Sequence, residues 1–230
     1  MHLPTHYARL LVLGLGLQAA SATATYINEI HYDNSGADVG EAIELAGAAG
    51  TDLSGWSLVL YNGNTSAPYL TRALSGVIGD QQAGFGTLAF SFSGSGIQNG
   101  AADGMALVDA AASVIQFLSY EGTINATSGV AAGLTSTDIG VGESGATAVG
   151  TSLHLLGSGS AYGDFSWSSS AAASFGAINS GQVFTPALAS ASAAASVPAP
   201  ASGWLCLAGL LGLLWRRSGF ICTAGNRAPG

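Results

Sequence analysis

The densest group of chemistry-bearing residues in the chain is acidic. Glu29, Asp33, Asp38, Glu41 and Glu44 fall within sixteen residues, interleaved with Asn28 and Asn34. Calcium takes roughly six to eight oxygen ligands from carboxylates, amides and carbonyls. The run from Asp33 to Glu41 (DNSGADVGE) supplies such oxygens, and its glycines permit tight turns. It lacks the ligand spacing and closing Glu of an EF-hand. Glu29, Asp33, Asp38 and Glu41 are therefore the candidate calcium ligands, and calcium is the one cofactor this pattern suggests. The competing reading is that the loop acids are solvated and that Glu29 and Glu44 are strand residues hydrogen-bonded to backbone.

Catalytic sets are thinner. Glu41 and Glu44, three apart on a strand, point to opposite faces, whereas glycoside hydrolysis needs two acids facing one cleft. A serine triad would need His31 or His154 as its base. His154 lies inside the apolar run Leu153–Leu156, and His31 stands beside Tyr32. Residues 142–146 (GESGA) approach a nucleophile elbow but place Ala146 where that motif needs Gly. A zinc site would have to combine His31 with carboxylates. No catalytic residue is assigned. Tyr61, Tyr69, Phe85, Tyr120, Tyr162 and Trp167 would form a sugar-stacking platform if exposed. Otherwise they edge a core filled by Trp56, Phe90 and Phe117.

The composition that must carry these groups is 48% hydrophobic, 8% charged and rich in glycine, with 34 Gly in 230 residues. Soluble globular chains carry about 25% charged residues, so turns and β-structure are expected rather than surface helices. The thirteen acids all lie between Glu29 and Asp164, where Arg72 is the sole Lys or Arg, leaving twelve net negative charges there. Such a surface repels polyanions and excludes nucleic-acid binding through phosphates. Cys206 and Cys222 are the only cysteines. The central region therefore has no disulfide and no thiolate site.

Three zones follow. Residues 1–24 have the order of a signal peptide: Arg9, the apolar Leu10–Leu17, then Ala20-Ser21-Ala22 or Ala22-Thr23-Ala24 at the cleavage site. Residues 25–185 alternate short apolar runs with turns. The expected strands are 26–32, 41–46, 56–61, 85–92, 104–109, 113–120, 152–156 and 164–167, the pattern of a sandwich or barrel. Ile30, Ile43, Leu45, Trp56, Leu58, Leu60, Leu107, Val108, Ile115 and Leu118 are the expected core. Residues 186–196 (PALASASAAAS) form a small-residue linker. Residues 197–217 carry Pro198 and Pro200, an apolar run Ala201–Trp215, and Arg216-Arg217, before a tail at 218–230. An Arg pair after an apolar run marks a cytoplasmic end.

The C-terminal segment resembles the PEP-CTERM sorting signal of Gram-negative bacteria, with Pro198-Ala199-Pro200 at the Pro-Glu-Pro motif, Ala201–Trp215 at the helix and Arg216-Arg217 at the basic cluster. Ala199 stands where Glu is usual. The resemblance implies delivery by the export machinery and processing by an exosortase. An ordinary C-terminal membrane anchor is the alternative. The central region resembles bacterial lamin-tail-like domains through Ile27-Asn28-Glu29-Ile30, Glu41-Ala42-Ile43-Glu44-Leu45, Asp52-Leu53-Ser54-Gly55-Trp56-Ser57-Leu58 and residues 103–109 (DGMALVD). That resemblance implies an all-β, immunoglobulin-like β-sandwich, here flanked by an N-terminal signal helix and a C-terminal hydrophobic helix.

The expected function is a non-catalytic, exported surface or extracellular-matrix module. It would be anchored transiently or stably by the C-terminal helix and would contact extracellular polysaccharide or matrix proteins. The alternatives are an accessory domain of, or itself, a divalent-metal-dependent extracellular hydrolase of the nuclease or phosphatase kind, and a carbohydrate-binding module.

Overall fold

The computed structural model describes residues 25–93 and 96–186. The expected signal helix, most of the linker, the C-terminal hydrophobic helix and the sorting residues Pro198, Pro200, Arg216 and Arg217 lie outside the described residues. Among the described residues no helix is long and apolar enough to cross a membrane.

These residues form β1 (Tyr26–His31), β2 (Ala42–Ala48), β3 (Ser57–Asn62), β4 (Ala67–Ala73), β5 (Phe85–Ser91), β6 (Gly104–Val108), β7 (Val114–Ser119), β8 (Thr137–Asp138), β9 (Thr151–Gly159), β10 (Phe165–Ala172) and β11 (Gln182–Phe184), with one 3-10 turn at Tyr162–Asp164. One sheet has the order β10-β9-β1-β2-β5, with β11 also beside β9, and the second has the order β4-β3-β6-β7-β8. The main core lies between them. Ile27, Ile30, Ile43, Leu45, Phe90 and Leu153 from the first sheet share it with Leu58, Leu60, Met105, Leu107 and Leu118 from the second. The all-β, two-sheet architecture expected from the sequence is therefore present.

Each outer face is also covered. Loop residues Ile124, Ala126 and Ala131 lie over Val59, Tyr61, Ala106 and Phe117 of the second sheet. Phe184 joins Tyr26, Ala46, Phe85, Leu155 and Phe165 over the first. Strands buried on both faces lose the strict polar–apolar alternation of half-buried ones. This explains why all six residues of β1 are buried, Asn28, Glu29 and His31 included.

A bulge in β1 aims its side chains. Ile27 stands opposite Leu45 and Ile30 opposite Ile43, with the register shifting between Ile27 and Glu29. The extra residue, Asn28, lets two isoleucines three apart both face the core. Beside the bulge, the Ile27 N–H donates to Gln116 Oε1 of the opposite sheet at 2.7 Å. Glu29 and His31 are thereby turned to the outer face of the first sheet.

Three strands escape the sequence pattern. β4 contains Pro68, which cannot donate to a ladder and suits an edge strand, and its register shifts where Tyr61 meets Pro68. β8 and β11 have two and three residues. Of the expected core, Val108 packs in the outer cluster of the second sheet, while Trp56 and Ile115 are half-buried at the margin of the main core.

Candidate functional site

Polar chemistry concentrates on the first sheet's outer face, where the β1–β2 register sets Glu29 opposite Glu44. Both are fully buried. Glu29 Oε1 accepts from Ser152 Oγ at 2.5 Å and from the Ser174 N–H at 2.7 Å, and its Oε2 accepts from Ser174 Oγ at 3.1 Å. Glu44 Oε1 accepts from Asn28 Nδ2 at 2.9 Å, and its Oε2 accepts from the Gly176 N–H at 2.6 Å. The Asn28 and Gln182 amides exchange two hydrogen bonds, of 3.2 and 2.7 Å. Asn179 Nδ2 donates to the carbonyls of Asn28 and Leu155. The connection between β10 and β11 is thus fastened across the two carboxylates. Burial pushes the Glu44 carboxyl up to about 8, against the opposing pull of Asn28 and Gly176. His154, paired across the ladder with Glu29, is also buried, and that burial lowers its pKa.

A second fastening joins β1 to the loop around Glu143. His31 Nδ1 lies 2.9 Å from Glu143 Oε1. Its Nε2 lies 3.2 Å from both Asn34 Oδ1 and the Val39 carbonyl. Asn34 cannot turn its amide over cheaply, because Nδ2 donates to the Ser35 and Ala37 carbonyls and Oδ1 accepts from the Val39 N–H. Both ring nitrogens therefore face acceptors, which favours the imidazolium. The hydrogen bond to Glu143 is the main cause that raises the His31 pKa, with burial opposing. Glu143 Oε2 also accepts from the N–H groups of Tyr32 and Asp33, at 2.7 and 3.1 Å. The Tyr32 hydroxyl donates to Glu121 Oε1 at 2.9 Å, and its ring stacks on Tyr120.

The four candidate calcium ligands divide between these surroundings. Asp33, Asp38 and Glu41 share one corner of the domain. Asp38 Oδ2 accepts from Asn99 Nδ2 at 3.3 Å. The Asp33 pKa is raised first by partial burial and then by the charge of Asp38. Glu41 Oε2 accepts from the Gly96 and Ile97 N–H groups at 2.6 and 3.4 Å, and burial raises its pKa. Glu29 is committed elsewhere, to Ser152 and Ser174. Among the described residues no three His, Cys, Asp or Glu side chains are arranged to hold a metal ion.

In residues 142–146, Ser144 is exposed and its Oγ accepts from the Ala146 N–H at 3.3 Å. No histidine is hydrogen-bonded to it among the described residues. Ser152, His154 and Glu29 adjoin one another, but all three are buried. The six aromatics do not form one platform: Tyr61, Phe85 and Tyr120 are buried, while Tyr69, Tyr162 and Trp167 are half-buried. Trp167 Nε1 donates to the Tyr162 hydroxyl at 2.9 Å.

The sequence reading missed Glu143, Glu121, Ser152, Ser174, Asn179 and Gln182. Their partners stand up to 154 residues away, so only a carboxylate inside an otherwise apolar strand, as at Glu29 and Glu44, could have signalled them. No family model matches the chain, and no curated protein and no solved structure matches it either.

Proposed function

We propose that the chain is a non-catalytic, exported surface or extracellular-matrix module of a Gram-negative bacterium, built on a lamin-tail-like, immunoglobulin-like β-sandwich. The observation that carries this reading is the use made of the buried acids. Glu29, Glu44 and Glu143 each accept backbone N–H groups from loops or strand ends, and so act as fasteners. Carboxylates for hydrolysis need an open cleft between them, whereas Glu29 and Glu44 are covered by the connection from β10 to β11. A sandwich whose outer faces are strapped by loops suits a binding or structural role outside the cell, where no disulfide is needed to hold it. The signal segment 1–24 and the sorting segment 197–217, with Pro198, Pro200, Arg216 and Arg217, support delivery through the export machinery and an exosortase-type protease.

The experiment is a deletion strain with matched wild-type and complemented controls. Loss of cell aggregation or matrix cohesion, restored by complementation, is the expected result. A purified chain that hydrolyses nucleic acid or phosphate esters in the presence of a divalent ion would overturn the reading.

A second reading is weak calcium binding beside Asp33, whose pKa is raised by partial burial and then by the charge of Asp38, although no three acidic side chains among the described residues are arranged around one ion. Extracellular modules bind calcium at about 10⁻⁴–10⁻³ M, and a ligand that binds only the folded state raises the melting temperature.

A further inference from the structure

Among the described residues Arg72 has no acidic partner. It is the sole Lys or Arg among the described residues, and the one ion pair there joins His31 to Glu143. On β4 it stands opposite Leu58, a core residue, so it points inward from an edge strand. Its Cζ lies 5.1 Å from the ring centre of Phe92 and 6.0 Å from that of Phe90. Its Nε is buried and has no hydrogen-bond acceptor among the described residues. A cavity of about 180 Å³, lined by Leu70, Thr71, Arg72, Phe92, Ser93 and Gly96, opens beside it.

We propose that this cavity is a binding site for a small carboxylate-bearing ligand, with Arg72 as the anion-binding group and Phe92 as an apolar wall. An unpaired, partly desolvated guanidinium carries a standing cost that a carboxylate removes, and the planar fork of Arg matches a carboxylate in two parallel hydrogen bonds. The ring face behind it holds the guanidinium in place by a cation–π contact. The volume suits one carboxylate and a few further heavy atoms, not a polymer backbone. In a domain with thirteen acids, Arg72 is the sole Lys or Arg among the described residues. The carboxylate has two natural sources: a uronic acid residue of a polysaccharide, or the C-terminus of a peptide. An inward-pointing charge on an edge strand also blocks strand-to-strand association, and that role needs no ligand. The proposal is independent of the surface-module reading.

The test titrates the purified full chain with D-galacturonate and with N-acetylalanine, using D-galactose and N-acetylalanine amide as neutral controls, followed by calorimetry and NMR. An acid should bind in the millimolar range while its neutral control does not. Arg72→Gln should weaken that binding by about tenfold or more, and Arg72→Lys, which keeps the charge and loses the fork, should weaken it less. Binding of galacturonate alone assigns the sugar source, and binding of N-acetylalanine alone assigns the peptide source. Should Arg72→Gln fail to fold, Arg72→Lys and Phe92→Leu carry the test, each expected to weaken binding. The proposal is overturned if neither acid binds, if the neutral controls bind equally well, or if the substitutions leave binding unchanged. It is likewise overturned if Arg72→Gln makes the chain self-associate while the wild type binds neither acid, since Arg72 then only guards the edge.

Discussion

Replacing Glu44 by Gln should destabilise this protein at pH 5 and stabilise it at pH 9. The folded carboxyl is pushed up to about 8 by burial, against an ordinary value of 4.5. Between these values the folded state holds a proton that the unfolded chain has released. The stability contributed by this group is therefore fully present below pH 4.5 and falls as pH rises towards 8, by about 1.4 kcal/mol per pH unit. Across the whole window this amounts to about 5 kcal/mol, a large part of the roughly 5–15 kcal/mol that holds a typical domain folded. Gln cannot ionise, but it keeps only one acceptor oxygen. Its amide nitrogen would then face one of the two donors, Asn28 Nδ2 or the Gly176 N–H. Asn28 cannot simply turn over, because its amide exchanges two hydrogen bonds with Gln182. One unsatisfied buried donor costs about 1–3 kcal/mol. Glu44→Gln should therefore be less stable than wild type by about that amount at pH 5, and more stable by about 2–4 kcal/mol at pH 9. Urea unfolding of the full chain, followed by tryptophan fluorescence at several pH values, measures both. Parallel stability–pH curves for the two proteins would refute the reasoning, because they would mean that Glu44 is ionised throughout.

Other consequences are open to test. The His31 pKa, read from its imidazole resonances, should lie above the ordinary 6.5, and the stability it contributes should be present below 6.5 and lost as pH rises through the shifted value. At pH 6, His31→Ala should cost about 3 kcal/mol, because it leaves the carboxylate of Glu143 buried without its cation; a loss below about 0.5 kcal/mol in thermal or urea unfolding would contradict the ion pair. Leu58→Ala should cost about 2–5 kcal/mol at its fully buried site, and Trp56→Ala should fall below the roughly 3–5 kcal/mol of a fully buried Trp, as unfolding midpoints would reveal. Millimolar calcium should raise the melting temperature of the full chain over that in chelator, and Asp33→Asn with Asp38→Asn should abolish the rise while Glu29→Gln leaves it in place; equal midpoints in calcium and chelator would remove the second functional reading.

The strand register explains how much of this was legible beforehand. Strands such as β3 and β6 announce themselves by dense apolar runs, and Leu58, Leu60 and Leu107 lie in the core as their spacing suggests. β4 is hidden because Pro68 and Arg72 break the pattern of a buried strand, although both are tolerable at a sheet edge. Simple alternation also fails in β1. The bulge at Asn28 inverts the facing of everything after it, so the sequence could group Glu29 with Asp33 and Glu41, while the fold turns it towards Ser152 and Ser174. The partnership of His31 with Glu143 spans 112 residues, and no local pattern encodes a contact of that range. Trp56 is large and apolar, which suggests a core position, yet it follows a turn at the sandwich margin and is only half covered.

The claim that this chain is an exported surface module is tested most directly by finding the mature protein and sequencing its N-terminus. Intact cells of the producing bacterium would be treated with a protease that cannot enter them, and the chain would be followed by an antibody against the β-sandwich. The account predicts that the cell-surface or extracellular form is digested and begins between Thr23 and Tyr26. A chain that keeps Met1 and stays protected inside the cell would contradict it.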